Sequence, residues 1–281
     1  MRNKVVLRRL IRNRNTRYGL VGVAVLLLLA YVGPLVAPYG WQEKDFTAFM
    51  EPPGPDHWWG TTQTGGDVFA GTLRGLQKSL VIGFLAALIS TGLAALVGAT
   101  AGYFGGWVDR VLMWGVDLLL VLPSFLIIAI LSPRLQGGTW LLFVVLLALF
   151  GWMITSRVVR SMTLSLRERE YVLAAKYMGV PGWKIILRHV LPNLSSLLII
   201  DATLNVSGAI ITETSLSFFG FGVQAPDVSL GTLIADGSGT STVITYPWLF
   251  LFPAGVLVAL VLSVNLIGDG LRDALDPGSN P

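Results

Sequence analysis

Asp117, Asp201 and Glu213 each interrupt a long apolar run of the 281-residue chain. A carboxylate at a bilayer centre costs about 2.5–3.5 kcal/mol on insertion scales, so such residues face a protein interior or water. Three roles are open to them: a proton relay, a polar cavity wall, or a hydrogen bond between helices. A relay needs several linked ionisable groups, and these three are scattered along the sequence. Asp201, two turns from one end of its run, reads as a structural or cavity residue. Glu213 lies in ITETSLSFFGFG, among serines and threonines, and reads first as a helix-packing hydrogen bond.

Other chemistry is missing. Cysteine is absent, which excludes disulfides and thiolate metal sites. His57 and His189 lie far apart and make no metal-ligand cluster. His189 sits in RHVLPN without a neighbouring carboxylate or thiol, and its expected role is a structural hydrogen bond. No G-x-x-x-x-G-K-S/T occurs, and the pairs Gly220/Gly222 and Gly237/Gly239 lack the third glycine of a dinucleotide fingerprint. Neither H-E-x-x-H nor a nucleophile elbow is present. The chain is therefore read as no enzyme, without catalytic residues, metal or cofactor of its own. Any catalysis belongs to another polypeptide.

The elements that must hold the three acids follow from composition. Hydrophobic residues make up 53% of the chain and charged residues 13%, against about 25% charged in a soluble domain. Mean hydropathy is +0.69. These values exclude an ordinary soluble enzyme and a disordered chain, and indicate an all-α polytopic membrane protein. Six runs can cross the bilayer as helices: 18–37, 80–103, 111–131, 140–156, 194–219 and 246–268. The first is longer than a signal-peptide core and lacks a small-x-small cleavage site, so it reads as a retained helix. Segments 1–17, 104–110, 157–191 and the tail after 268 carry sixteen of the twenty basic residues. That bias places both termini in the cytoplasm. The basic segment 1–17 is expected to lie along anionic headgroups as an amphipathic helix. Nucleic-acid binding is the reading set aside for it.

Two connections are more than loops. Residues 38–77 form a long outer segment rich in Pro, Gly and Trp, containing the pair Trp58-Trp59. It is either an interface-anchored loop or a surface for an external partner. Residues 157–191 read as two short helices broken at Gly179-Val180-Pro181-Gly182. Tyr171, Ala174, Ala175 and Met178 form one apolar stripe, and Trp183, Ile186, Leu187 and Val190 another. Pro192 is expected to close this hairpin. Its stripes either pack on the protein's own helices or dock a soluble partner. The chain thus divides into 1–78 (basic segment, first helix and outer loop), 79–268 (five-helix core with loop 157–191) and the tail 269–281.

The hairpin resembles the signature loop of bacterial ABC importer permeases. That loop reads Glu-Ala-Ala, three residues, Gly, nine residues, Ile, one residue, Leu-Pro. Ala174-Ala175, Gly179 and Leu191-Pro192 stand at matching spacing, with Leu173 in the Glu position and His189 in the Ile position. The runs Glu170-Tyr171-Val172 and Arg188-His189-Val190-Leu191-Pro192-Asn193 look like the dipeptide/oligopeptide/nickel subgroup. Glu213 followed by LSFFGFG at 216–222 is similar to another of its segments, and NLIGDGLRDALDP at 265–277 to its C-terminal signature. His57, Gly60, Thr61, Gly65 and Asp67 resemble its outer loop, with Thr62 in place of the usual Asp and Gly66 in place of the usual Arg. The long outer loop marks the second of the two permeases in such systems.

The resemblance implies a type I importer permease fold in a bacterial or archaeal cytoplasmic membrane. It implies a heterodimeric pore with a second permease, two cytoplasmic ATPases holding ATP and Mg, and an extracytoplasmic solute-binding protein. The ATPase-coupling residues it implies are Glu170, Tyr171, Ala174, Ala175, Gly179, Pro181, Leu191 and Pro192. Asp117, Asp201 and Glu213 are left to the pore or to helix packing. Peptide is the implied substrate; nickel, glutathione or a sugar is the alternative, and no Cys/His cluster favours nickel. A secondary carrier is the rival class, but the paired broken helices of such carriers are not evident in two halves. A pore-less membrane anchor is the other rival, and the three acids argue against it.

The basic-residue asymmetry gives a direct test. Met50→Cys and Ala235→Cys should react with an impermeant thiol reagent added outside. Lys184→Cys should react only after the membrane is opened, and its labelling in intact cells would contradict the six-helix, both-ends-in arrangement.

Overall fold

The structure is a computed structural model that describes residues 13–132 and 140–275. The expected amphipathic helix in 1–17 falls mostly outside these residues, as do Arg134 and the end of the C-terminal signature. Every regular element among the described residues is helical; extended pairing is limited to two isolated bridges, Lys44 with Gly66 and Thr61 with Asp67. The order is α1 (Arg14–Val36), α2 (Val68–Phe104), α3 (Gly106–Val121), α4 (Ser124–Leu131), α5 (Trp140–Gly151), α6 (Met153–Leu166), α7 (Glu170–Tyr177), α8 (Gly182–Ile185), α9 (Leu191–Phe218), α10 (Leu230–Gly237), α11 (Thr240–Thr245) and α12 (Trp248–Leu275). Four stretches are long and apolar enough to cross a membrane: α1, α2, the run Gly182–Phe218, and α12. Two bent pairs bring the count to six when each is taken as one span.

The bent pairs correct two expected helices. The run 111–131 breaks at Leu122-Pro123, where α3 and α4 meet at 76°. Pro123 disfavours a helical Leu122 and removes one N–H, so the chain turns there. The run 140–156 stops at Gly151, bends by 47° and continues as α6 to Leu166. Arg157 and Arg160 therefore lie on the helix α6. Likewise α2 starts at Val68, capped by the Asp67 carboxylate, which accepts from the Ala70 amide at 2.8 Å. The last ten residues of the expected outer loop are thus helix.

Pro192 does not close the hairpin. The helix runs on from Gly182 to Phe218 through a widened turn at Ile186–Val190, where the Leu191 amide bonds the Ile186 carbonyl. A proline ring clashes with the carbonyl four residues back and donates nothing, and a wide turn relieves both problems without ending the helix.

α2 is the central post, packing on α1, α6, α9 and α5. Its approach to α6 is set by Gly98 and Gly102, spaced as small-xxx-small. A Cβ at Gly102 would lie 2.7 Å from the Arg160 carbonyl oxygen. At one end, Ala99, Val159, Val172, Ala175, Ile185, Val190 and Leu194 form one buried cluster, joining the hairpin to α2 and α6. In the opposite half, Leu26, Leu76, Ile210, Leu230 and Leu260 join α1, α2, α9, α10 and α12.

Gly102→Val should force α2 and α6 apart, at a cost of about 1–3 kcal/mol for an overpacked contact. Gly92→Val, where an added Cβ meets nothing within 4 Å, should not. The check is the yield and thermal stability of detergent-purified protein, with G102V expected well below G92V.

Candidate functional site

The hairpin is built from local capping. Arg169 enters extended, and Glu170 stands in the first turn of α7, where a carboxylate favours the helix N-terminus. Gly179 has φ +75°. Its amide bonds the Lys176 carbonyl at 3.0 Å, and the Val180 amide bonds the Ala175 carbonyl at 3.1 Å. This is a Schellman closure, with Val180 packed beside the cluster that holds Ala175. Pro181 starts the next helix, its carbonyl accepting from Lys184 and Ile185. Gly182 fits against the rings of Tyr103 and Phe104.

Each predicted stripe is split in two. Val172, Ala175, Ile185, Ile186 and Val190 point inward and are buried. Tyr171, Ala174, Tyr177, Met178, Trp183 and Leu187 are exposed. Ala175 is therefore a packing residue, while Ala174 is on the open face. Leu191 is half-buried and Pro192 exposed. At His189 the hydrogen bond comes from the backbone: its carbonyl accepts from Asn193 Nδ2 at 2.6 Å, and its ring lies 6.5 Å from that of Tyr171.

The three acids occupy three different environments. Glu213 is fully buried. It accepts from Ser217 Oγ at 2.6 Å and from Ser79 Oγ at 3.4 Å. Ser79 Oγ also accepts from the Leu230 amide, and Ser217 Oγ lies 3.4 Å from Ser229 Oγ at the cap of α10. The carboxyl thus ties α9 to α2 and to α10 through hydroxyls. Ser217 was visible one turn away in sequence; Ser79 and Ser229 come from distant elements and were not. Asp201 accepts from Thr155 Oγ1 at 2.7 Å, Asn205 Nδ2 at 2.8 Å and Thr91 Oγ1 at 3.1 Å, joining α6, α9 and α2. Asn205 also lines a cavity of about 220 Å³ with Ser90, Ser124, Gly151, Gly208 and Thr212. Asp117 is exposed and pairs with Arg157 at 2.5 Å. Nearer the inner ends of the same helices, Arg160 pairs with Asp109, its Nη2 at 2.6 Å.

At the end opposite the hairpin, polar residues organise the loops; the sequence singled out His57, Thr62, Asp67 and Trp59, but not Arg74, Lys78 and Asp227. Asp227 receives Lys78 Nζ at 3.0 Å and Arg74 Nη2 at 3.2 Å. Burial pulls its carboxyl upward, but the hydrogen bonds and charges of Lys78 and Arg74 outweigh that and hold it below the ordinary carboxylate range. The two cations also lie over the rings of Trp140 and Trp41. The buried His57 ring stacks on Tyr39 at 4.4 Å, with Nδ1 2.9 Å from Asp67 Oδ2. Thr62, in its non-consensus position, closes the turn by accepting from the Gly66 amide at 3.0 Å. Trp59 stacks on Phe252 and meets Phe69, fastening the loop to α12 and α2. Between this loop and α10–α12 lies a cavity of about 580 Å³, whose wall includes Trp41, Lys44, Met50, Asp236 and Leu249. Among the described residues, no three His, Cys, Asp or Glu side chains are grouped to hold a metal.

Comparison with known proteins matches residues 94–280 to the family described as binding-protein-dependent transport system inner membrane component. Residues 3–53 match the N-terminal TM domain of oligopeptide transport permease C. The chain is 57% identical over 279 residues to the oligopeptide transport system permease protein OppC of Mycobacterium bovis, covering 99% of this chain and 95% of that one. It is 40% identical over 269 residues to a putative peptide permease protein of Brucella suis biovar 1, covering 96% and 89%. It is 35% identical over 265 residues to OppC of Bacillus subtilis, covering 94% and 86%.

Glu213 carries a prediction of its own. Glu213→Gln keeps shape and hydrogen bonding, so folded yield should stay near wild type. Glu213→Leu leaves Ser79 and Ser217 without their acceptor and should lower yield; an unsatisfied buried polar group costs about 1–3 kcal/mol. Equal yield and equal transport for all three proteins would show that the carboxyl ties nothing together.

Proposed function

The chain belongs to the family of binding-protein-dependent transport system inner membrane components, and from that premise we propose that it forms half of the pore of an ATP-driven peptide importer. It is a multi-pass membrane permease and not itself an enzyme. The observation that carries the peptide reading is its likeness, over nearly its whole length, to proteins named as oligopeptide permeases. In this reading a second, related permease supplies the other half of the pore. A solute-binding protein delivers peptide from outside, and two ATPases hold ATP and Mg on the cytoplasmic side. Both termini lie in the cytoplasm, in keeping with the basic-residue bias.

The hairpin is the contact through which ATP-driven motion reaches the pore. Its inner face is fastened to α2 and α6, and its outer face presents Tyr171, Ala174, Met178, Trp183 and Leu187. An apolar knob of this kind suits a groove on a soluble partner. Small Ala174 allows close approach there, while Glu170, Gly179 and Pro181 set the shape of the turn. Ala175, Leu191 and Pro192 act through the packing and continuity of the second arm.

The test separates contact from fold. Ala174→Arg adds bulk to the open face and should leave the hairpin folded. Gly179→Val forces a β-branched residue to positive φ, a strain of about 1–3 kcal/mol. Both variants should reach the membrane, yet lose ATPase co-purification or binding-protein-stimulated hydrolysis by tenfold or more. Wild-type stimulation and peptide uptake in both would remove the hairpin from coupling.

A further inference from the structure

Two opposite charges line one cavity without a partner. The cavity, of about 580 Å³, lies between the loop and α10–α12, at the end opposite the hairpin. Lys44 lines it from the loop and Asp236 from α10. Neither side chain has a hydrogen bond or ion pair with any described residue, so they do not pair with each other. The other cations described at this end, Arg74 and Lys78, are held by Asp227. Asp236 also stands in the last turn of α10, which has no basic residue. A carboxylate there meets the negative end of the helix dipole. Its side chain is exposed, yet the protein around it desolvates the carboxyl and raises it above the ordinary carboxylate range. A cation beside Asp236 relieves both penalties.

Both walls are fixed in place. Lys44 pairs with Gly66 in an isolated bridge, and the Asp45 amide bonds the Gly65 carbonyl at 2.8 Å. The start of α10 is held by the Ser229–Thr232 capping box. Its end lies against α12: a Cβ at Gly237 would come within 2.6 Å of the Leu249 carbonyl oxygen. The rest of the lining is mixed. Leu233, Leu249 and Pro253 are apolar, while Gln42, Gln63 and Thr64 are polar. A cavity of this size with few convergent polar groups suits a small ligand.

We propose that this cavity binds a short zwitterionic peptide, with Asp236 receiving its ammonium and Lys44 its carboxylate. The choice of peptide as guest rests on the import reading; the two unpaired charges do not. Such a guest satisfies both charges at once by charge-assisted hydrogen bonds, and its apolar side chains cover the apolar lining. The walls come from this chain alone. A zwitterionic lipid headgroup also presents an ammonium, and the test separates the two sources.

The test uses the assembled importer, without its binding protein, in nanodiscs of phosphatidylglycerol, whose headgroup has no ammonium. The chain has no cysteine. Gln63→Cys therefore places its one thiol on the cavity wall, and Phe46→Cys places one on the exposed loop outside it. With labelling read on this chain, saturating trileucine should slow the reaction of Q63C with a thiol reagent fivefold or more. F46C should be unaffected. N-acetyl-trileucine and trileucine amide should each need about tenfold higher concentration for the same protection, the loss of one charged hydrogen bond. Added to Q63C, Asp236→Asn should abolish the preference for the free amine, and Lys44→Gln the preference for the free carboxylate. No protection by trileucine, or protection indifferent to both caps, overturns the site. Protection of Q63C by phosphatidylethanolamine, with none by trileucine, assigns the cavity to a lipid headgroup and overturns the peptide. Peptide uptake by the complete importer is measured separately. Failed uptake with Q63C protected counts against import and leaves the site standing; uptake without protection does the reverse.

Discussion

Hydrocarbon supplies no hydrogen-bond partner, so each polar group placed in it must find one inside the protein. That constraint explains why Glu213 has Ser79 and Ser217 on it and Ser229 close by, and why Asp201 gathers Thr91, Thr155 and Asn205. In both cases an acid on α9 fastens neighbouring helices by hydroxyls, which are cheap to desolvate compared with a cation. The same constraint acts on the backbone at Pro192. Losing a donor near the membrane surface is tolerated because the preceding turn widens and the helix continues.

The cations are handled differently at the two ends. At the end opposite the hairpin, Arg74 and Lys78 are locked onto Asp227 and aromatic faces, so they belong to the fold. At the hairpin end, Arg160 pairs with Asp109, and Arg167 donates to the Gly102 carbonyl where α2 passes α6. The close passage at Gly98 and Gly102 thus has an ionic clasp just beyond it. Small residues let the backbones approach, and guanidinium groups bond what the helix end leaves open.

Much of the fold was legible from composition and spacing, because apolar runs and basic asymmetry are local signals. All six apolar runs gained residues at a boundary, and two runs contained bends. The causes are particular. The outer start of α2 depends on a single Asp67 cap, and polar residues of its first turns disguised them as loop. The bends at Pro123 and Trp152 lie within apolar sequence, where hydropathy does not change. Of the candidate site, the Gly179 turn was readable because positive φ and a Gly-x-Pro break are local chemistry. The inward and outward halves of each stripe were not. Ala174 and Ala175 are adjacent and identical in type, and only the packing of Val159 and Ile185 decides which one is buried. Arg157 lies 40 residues from Asp117, and Ser79 lies 134 residues from Glu213; no periodicity reports such pairs.

The two-faced hairpin has a mechanical consequence. Its inner face shares a cluster with Ala99 on α2 and Val159 on α6, so the hairpin cannot shift without loading both helices. Its second arm has no joint with the membrane: Gly182 to Phe218 is one helix, interrupted only by a wider turn. α9 then carries Asp201, bonded to α2 and α6, and Glu213, linked through Ser217 to the capped start of α10. A displacement applied at Tyr171 or Trp183 therefore passes along bonded helices, not through a loop that could absorb it. The turn at Gly179 lies between the two arms rather than between the second arm and α9. Under the proposed importer reading, such a bonded connection is what a chain without nucleotide chemistry needs to respond to a partner's ATP hydrolysis.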